Sequence, residues 1–387
     1  MFKAEKEDSV MKKEEQYILR AINRLFQIKT EDETSEEMLG YDWGVILYQS
    51  VLHKIVPIIY GDLIKNNLIG TVSNQIYKVM KNITDISKYH NRVLQEQAEL
   101  ILRQATQENI EMLILKGPIL ADFLYDDSRM RIFGDLDILV EKTNLPKMKE
   151  LLTGNGYVQG SYDKSLETII PVSRREIIER ELYTHETVEF HKINEDSYMT
   201  DLVIDVNHAV SWKEIGNIEK ISVKDFMEKS CMYNVQGVSM RGPIPERLFI
   251  HTCMHLYSEA VFFCWQYSWH KNFGDVELKK YIDIGLFLKK KIDWECVVEE
   301  IRYFGVEEQI IYVLTQFKQL FPEVCLPNAL LNYIGDVTDT GYYYTCRGDK
   351  KTWTLSIKER VFNQAGRKQD VLLNTEEGDM MIKRGNA

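Results

Sequence analysis

The six cysteines of the 387-residue chain, at positions 231, 253, 264, 296, 325 and 346, make no C-x-x-C pair and no zinc-ligand spacing. A zinc ribbon and a dithiol redox centre are thereby excluded, and reduced, mostly buried thiols are the simple expectation. There is no run of about 18 apolar residues to span a bilayer. Met1–Gln16 mixes both charges and lacks the apolar core of a secretory signal, so a cytoplasmic protein without membrane contact is expected. Long lysine and arginine runs are missing too. With a net charge of −11 and a pI near 5.4, no nucleic-acid groove is advertised, and a long polynucleotide partner is not expected, because backbone binding needs many cations. No internal repeat or low-complexity block stands out. What the chain does have is apolar material: 44% hydrophobic and 11% aromatic residues, ample for packed cores. Its length predicts two or three domains.

The periodicity divides the chain. Residues 1–13 read as a flexible N-terminus. Residues 14–107 are helical: Tyr17, Ile18, Ile22 and Leu25 form one stripe, and Trp43, Ile46, Leu47, Val51, Ile55 and Ile58 a second, separated by the polar link Thr30–Glu37. Ser87–Thr106 reads as a long third helix. From 108 to 240 strands and helices alternate: Met112–Leu115 as a strand, a stop at Lys116-Gly117-Pro118, a helix Ile119–Tyr125, a strand Asp135–Val140 and a helix Leu145–Leu152. Thr187–His191 and Leu202–Asn207 follow as two antiparallel strands joined by a polar loop at Asn194–Met199. Residues 241–335 turn helical again, at Arg247–Tyr257, Glu277–Leu288, Trp294–Phe304 and Glu307–Leu320. Residues 336–387 form an extension, loosely held from about Asn363. The fold class is α+β, a small mixed sheet flanked by helices between two helical modules.

Within that frame Gly134-Asp135-Leu136-Asp137-Ile138-Leu139-Val140 is the most informative stretch. Side chains alternate along a strand, so Asp135 and Asp137 share one face while Leu136 and Ile138 take the other. Two carboxylates about 6–7 Å apart repel in a dry cleft, and a hard divalent cation is the usual remedy. Downstream, Val203-Ile204-Asp205-Val206-Asn207 carries one further carboxylate between apolar neighbours. If the two strands pair, Asp205 joins Asp135 and Asp137, and three acids define a site for two-metal phosphoryl transfer. A water-facing carboxylate is the plain alternative for each.

Leu115-Lys116-Gly117, Tyr125, Arg131-Ile132-Phe133-Gly134-Asp135-Leu136-Asp137-Ile138-Leu139-Val140 and Gly156-Tyr157 together resemble the pattern of the bacterial uncharacterised nucleotidyltransferases. These are a branch of the polymerase-β-like nucleotidyltransferase superfamily. Asp42-Trp43, His53-Lys54-Ile55-Val56-Pro57, Leu248–Tyr257, Tyr281-Ile282-Asp283 and Ile292-Asp293-Trp294 extend the likeness, which covers about Glu14 to Leu326. The resemblance implies a polymerase-β-like core and two magnesium ions, or manganese in their place, held by Asp135, Asp137 and Asp205 as catalytic and metal-binding residues. A nucleoside triphosphate would be the donor, and a small molecule, peptide or protein the acceptor. Lys116, Gly117, Arg131 and Gly134 are the expected nucleotide- and phosphate-binding residues. For Arg131 two readings stand open, a triphosphate contact and an ion pair with a site carboxylate; for Gly134, substrate approach and simple turn formation. Two departures are visible. Where the superfamily has glycine followed by serine, Pro118 follows Gly117, losing an amide and a hydroxyl, for which Lys116 can compensate. After Asp205, where the family tends to histidine then tryptophan, this chain has Asn207-His208.

Other features rank lower. His251 and His255 share a helix face without the glutamate of H-E-x-x-H and read as core or interface residues. His185, Glu189 and His191 fall near a strand that could line the pocket. Phe262, Phe263, Trp265, Tyr267 and Trp269 could stack a base, but a hydrophobic core explains them more cheaply. The expectation is therefore a metal-dependent nucleotidyltransferase that releases pyrophosphate. The alternatives are a catalytically silent relative that binds nucleotide or a partner, and a helical interaction protein whose acidic strand is incidental.

Overall fold

The computed structural model describes residues 11–31, 33–195, 199–210, 221–265, 274–345 and 347–374. The N-terminal third is helical: α1 (Lys13–Leu25), α2 (Ser35–Leu39), α3 (Trp43–Leu52), α4 (Val56–Lys65) and α5 (Asn74–Gln107). Local chemistry sets these starts. Asp42 caps α3 by accepting from the amides of Gly44 and Val45, and Ser73 caps α5 by accepting from Ile76. The cap at Ser73 carries α5 to 34 residues, so it begins well before the Ser87 read from the apolar stripe. The link read as polar coil over Thr30–Glu37 contains the start of α2, which Thr34 and Glu37 fix with a capping box.

The middle of the chain runs β1 (Met112–Ile114), α6 (Pro118–Leu124), β2 (Asp135–Val140), α7 (Leu145–Gly154), β3 (Val158–Asp163), β4 (Thr168–Pro171), α8 (Arg174–Tyr183), β5 (Phe190–Ile193) and β6 (Asp201–Asn207). The six strands form one mixed sheet in the order β1-β2-β6-β5-β3-β4. β2 and β6 are parallel, and β5 and β6 antiparallel. β3, β4 and α8 lie where the sequence offered no clear periodicity, since half-exposed strands such as Gly160-Ser161-Tyr162 carry little apolar pattern. Then come α9 (Val223–Glu228), the hairpin of β7 (Ser230–Val235) and β8 (Val238–Pro243), α10 (Pro245–Val261), α11 (Leu278–Phe287), α12 (Trp294–Phe304) and α13 (Glu307–Leu320). The last three helices coincide closely with the expected ones.

The C-terminal extension is better built than its polarity suggested. β9 (Tyr342–Tyr344), β10 (Lys350–Thr352), α14 (Ile357–Phe362) and α15 (Gln364–Asn374) follow in order. Trp353 and Arg367 are buried there, with the Arg367 guanidinium 5.0 Å from the Phe263 ring centroid. The expectation of a loose chain from Asn363 is thus corrected as far as Asn374. Residues 375–387, like 1–10, lie outside the described residues. Of the aromatic residues expected to group here, Phe263 is buried and stacks on Trp353, while Phe262 is partly buried and stacks on Tyr344. Tyr267 and Trp269 lie outside the described residues.

One hydrophobic core runs from the N-terminal helices through the sheet to the C-terminal helices. Phe26 shows how the ends are joined. Its ring packs on Phe317 and Phe321 and lies where a Cβ on Gly285 would stand, 2.4 Å away. α11 can therefore approach the N-terminal module only with glycine at position 285. Among the described residues no helix is long and apolar enough to cross a membrane, and Cys231, Cys253, Cys296 and Cys325 are free thiols.

Candidate active site

The site is built where β1 hands over to α6 beside the start of β2. Leu115 N–H donates to Asp137 O at 3.0 Å, which prolongs the β1–β2 pairing by one residue. The chain then turns at Gly117, with φ +56°. A Cβ there would meet Asp135 O at 3.4 Å and the Phe133 ring at 3.5 Å, so both conformation and contact favour glycine. Pro118 follows as the first residue of α6 and has no N–H to offer.

On β2 the alternation places Asp135 and Asp137 on one face. The parallel register sets Asp205 of β6 directly beside Asp137, about 4.8 Å away at backbone level. Asp137 is buried, while Asp135 and Asp205 are partly buried. Lys116 reaches into this group, its Nζ 2.8 Å from Asp137 Oδ1. Burial pushes the Asp137 carboxyl up against the pull of Lys116. Burial, then the charges of Asp137 and Asp135, push Asp205 well above the carboxylate range. Burial alone would lower the Lys116 ammonium, but Asp137 and Asp135 outweigh it, and the ammonium is held above its usual range.

Glu186 and Glu189, in the segment leading into β5, add negative charge on the far side of Asp205. Glu186 pairs with Arg180 and bridges to Asn207. His191 lies between Asp201, at 3.0 Å, and Glu189, at 3.1 Å. His185 Nε2 is 3.5 Å from Glu186.

In front of Asp135 and Asp137 opens a cavity of about 230 Å³, lined also by Lys54, Lys116, Arg131, Lys279 and Lys280. Gly134 is on its lip, where a Cβ would meet nothing within 4 Å. Arg131 is buried in its wall and bound to Asp283: Nε lies 3.1 Å from both carboxylate oxygens and Nη2 2.9 Å from Oδ2. Tyr125 OH donates to the same Asp283 at 2.8 Å, and Arg131 Nη1 reaches Gly117 O at 3.4 Å. Of the two readings open for Arg131, the structure displays an ion pair, with a carboxylate outside the acidic trio. His251 is buried near the Phe226 ring, and burial lowers its pKa to about 3. His255 lines the cavity, 3.5 Å from Glu259.

The sequence reading gave no role to Lys54, Lys279, Lys280, Glu259 or Asp283. Lys54 and Asp283 fall inside stretches that carried the family resemblance, and that was their only signal. The carboxylates suit a hard divalent ion by chemistry: oxygen donors on adjoining strands, no sulfur or imidazole between them, and an ammonium already serving as counter-charge. As the side chains stand, no three His, Cys, Asp or Glu among the described residues are grouped tightly enough to hold an ion. One of the three acids, Asp137, is paired with Lys116 instead.

A sequence model described as uncharacterised nucleotidyltransferase matches residues 40–322, which span α3 to the end of α13 and include every site residue named above. No curated protein and no solved structure matches the chain.

Proposed function

Since the chain belongs to the uncharacterised nucleotidyltransferase family, we propose that it transfers a nucleoside monophosphate from a nucleoside triphosphate to a small-molecule, peptide or protein acceptor. The single observation that carries this reading is the register pairing of Asp137 with Asp205 beside Asp135. It gathers acids from two segments 68 residues apart in the chain, and two of them, Asp135 and Asp137, line a cation-rich cavity.

The reaction is in-line displacement at the α-phosphorus: the acceptor oxygen forms the new P–O bond, and the bond to pyrophosphate breaks. Bound magnesium would supply charge neutralisation on the polyphosphate and a lowered pKa at the acceptor oxygen. Asp135 and Asp137 would hold ions on the donor side, and Asp205 the acceptor side. Asp205 would also take the acceptor proton. Lys116 lies at the junction of acids and cavity and would turn its ammonium from Asp137 to the phosphates once divalent ions neutralise the acids. Gly117 keeps the turn close to β2, and Gly134 leaves the cavity mouth open to substrate. Arg131 supports the wall through Asp283, and its charge contributes to the field over the phosphates.

A second reading has an observation in its favour. The acids are already neutralised by an internal lysine, and Pro118 removes an amide from the turn, as would suit a silent relative that binds nucleotide without transferring it. Thermal shifts with each of the four ribonucleoside triphosphates, with and without magnesium, measured beside pyrophosphate release in cell extract, separate the two. Magnesium-dependent binding with pyrophosphate release supports transfer. Binding alone supports the silent form, and no binding at all overturns both.

A further inference from the structure

The cavity beside Asp135 and Asp137 has a wall drawn from parts of the chain far from the acidic strands. Lys54 sits between α3 and α4 at φ +56°, and Lys279 and Lys280 lie in the first turn of α11. His53 fastens these segments together. Its Nδ1 accepts from the Leu278 amide at 3.3 Å, and its Nε2 lies 3.2 Å from Val361 O, to which it donates. That pattern needs the neutral ring with its proton on Nε2, and burial lowers the His53 pKa to about 4. Lys54 and Lys279 therefore flank a fixed clamp.

Glu277 then serves both lysines, with Oε2 3.2 Å from Lys54 Nζ and Oε1 3.2 Å from Lys279 Nζ. Lys279 also donates to Ile132 O at 3.0 Å, and Lys280 is held by Glu259 and by Gly274 O. Two ammoniums share one carboxylate, and a third follows in sequence. Burial, and the presence of Lys54 beside them, pull Lys279 and Lys280 below the usual lysine range. An anion in the cavity would relieve that repulsion.

Of the cavity's other basic side chains, Arg131 and Lys116 each pair with an acid that no second ammonium or guanidinium shares, and the turn before α6 adds little. Arg131 is bound to Asp283 and Lys116 to Asp137. Pro118 has no amide, and α6 is only 7 residues long. At about 230 Å³ the cavity is smaller than the roughly 300–1,000 Å³ of ordinary ligand pockets. It suits a polyphosphate tail, with the nucleoside outside its mouth.

We infer that Lys54, Lys279 and Lys280 form the seat of the β- and γ-phosphates of a nucleoside 5′-triphosphate, so that pyrophosphate departs from this lysine wall while the α-phosphorus faces Asp135 and Asp137. The orientation of the α-phosphorus rests on the nucleotidyl-transfer reading; the anion seat does not.

The test is calorimetric titration of the full chain with inorganic pyrophosphate in EDTA. The wild type should bind, and binding should weaken as salt is raised. Lys54→Gln should lower the affinity at least about tenfold, the loss of one charge-assisted bond. Lys54 is half-exposed, so this variant should keep the wild-type melting temperature, while Lys142→Gln on the opposite end of β2 should bind like the wild type. Absence of pyrophosphate binding in the wild type, or an affinity indifferent to Lys54→Gln, overturns the inference. Two results keep it apart from the proposed reaction. Lysine-dependent pyrophosphate binding without nucleotidyl transfer from any triphosphate upholds the seat and removes the reaction. Transfer with an affinity indifferent to Lys54 upholds the reaction and removes the seat.

Discussion

Lys116 Nζ lies 2.8 Å from Asp137 Oδ1 in a largely buried ion pair that joins the turn after β1 to the acidic face of β2. The ammonium neutralises one of three clustered acids, which lets them be packed side by side without a metal. On the proposed reading the site would have two states, one with lysine among the carboxylates and one with divalent ions there.

Lys116→Met should therefore destabilise the metal-free protein more than the metal-loaded one. Removing one partner of a buried pair costs about 3–5 kcal/mol when the other charge stays uncompensated. Magnesium should recover most of that loss, because ligand bound only by the folded state stabilises it. Melting curves in EDTA and in magnesium check this. A variant equally destabilised in both would contradict the exchange of lysine for metal.

Asp205 gives a pH dependence whose sign follows from its environment. Its folded pKa lies well above the unfolded aspartate value of about 3.9. The folded protein then holds the proton more tightly, so this contribution to stability is present below the unfolded pKa and is lost as pH rises through the folded one. Asp205→Asn, neutral at every pH, should melt a few degrees above wild type in EDTA at pH 8, with the gap narrowing as the pH falls. Nucleotidyl transfer should fall by roughly 10²-fold or more in the same variant, the scale seen when one preorganised catalytic group is removed. Differential scanning calorimetry beside an activity assay reads both; an Asn variant less stable than wild type at pH 8 in EDTA would refute the electrostatic account.

Arg131 and Asp283 define a different kind of pair. Both are buried, the guanidinium contacts both carboxylate oxygens, and Tyr125 completes the group. Asp283→Ala should cost about 3–5 kcal/mol by stranding the arginine. Arg131→Met with Asp283→Leu should recover a large part of it, since apolar replacements of similar size are often tolerated there. Urea unfolding of the two variants measures this. A double variant no more stable than Asp283→Ala would mean that the pair is needed as a pair.

The acidic face of β2 was legible because strand alternation is local: two residues apart means one face, whatever the rest of the chain does. Asp205 could be joined to it only conditionally, since strand pairing is decided by distant contacts, and the parallel register of β2 with β6 supplies the condition. Asp283, 152 residues from Arg131, left no local trace beyond the family-like stretch that contains it. The lysine wall was hidden for the same reason. Lys54 and Lys279 meet only through packing of α11 on the N-terminal helices, which the Phe26–Gly285 contact permits and His53 fixes. β3, β4 and the β7–β8 hairpin escaped notice because half-exposed strands carry a weak alternation. The helix at Gln364–Asn374 escaped because its burial rests on a few residues, Arg367 and Val371 among them.

The most direct measurement is transfer of label from α-phosphate-labelled triphosphates into acceptors of a cell extract, for wild type and Asp137→Asn, in magnesium and in EDTA. The account predicts labelled product only with wild type in magnesium, and a drop of about 10³-fold or more for an Asp137→Asn protein that melts cooperatively. Label transfer that survives EDTA, or that continues unchanged in the Asn variant, would contradict it.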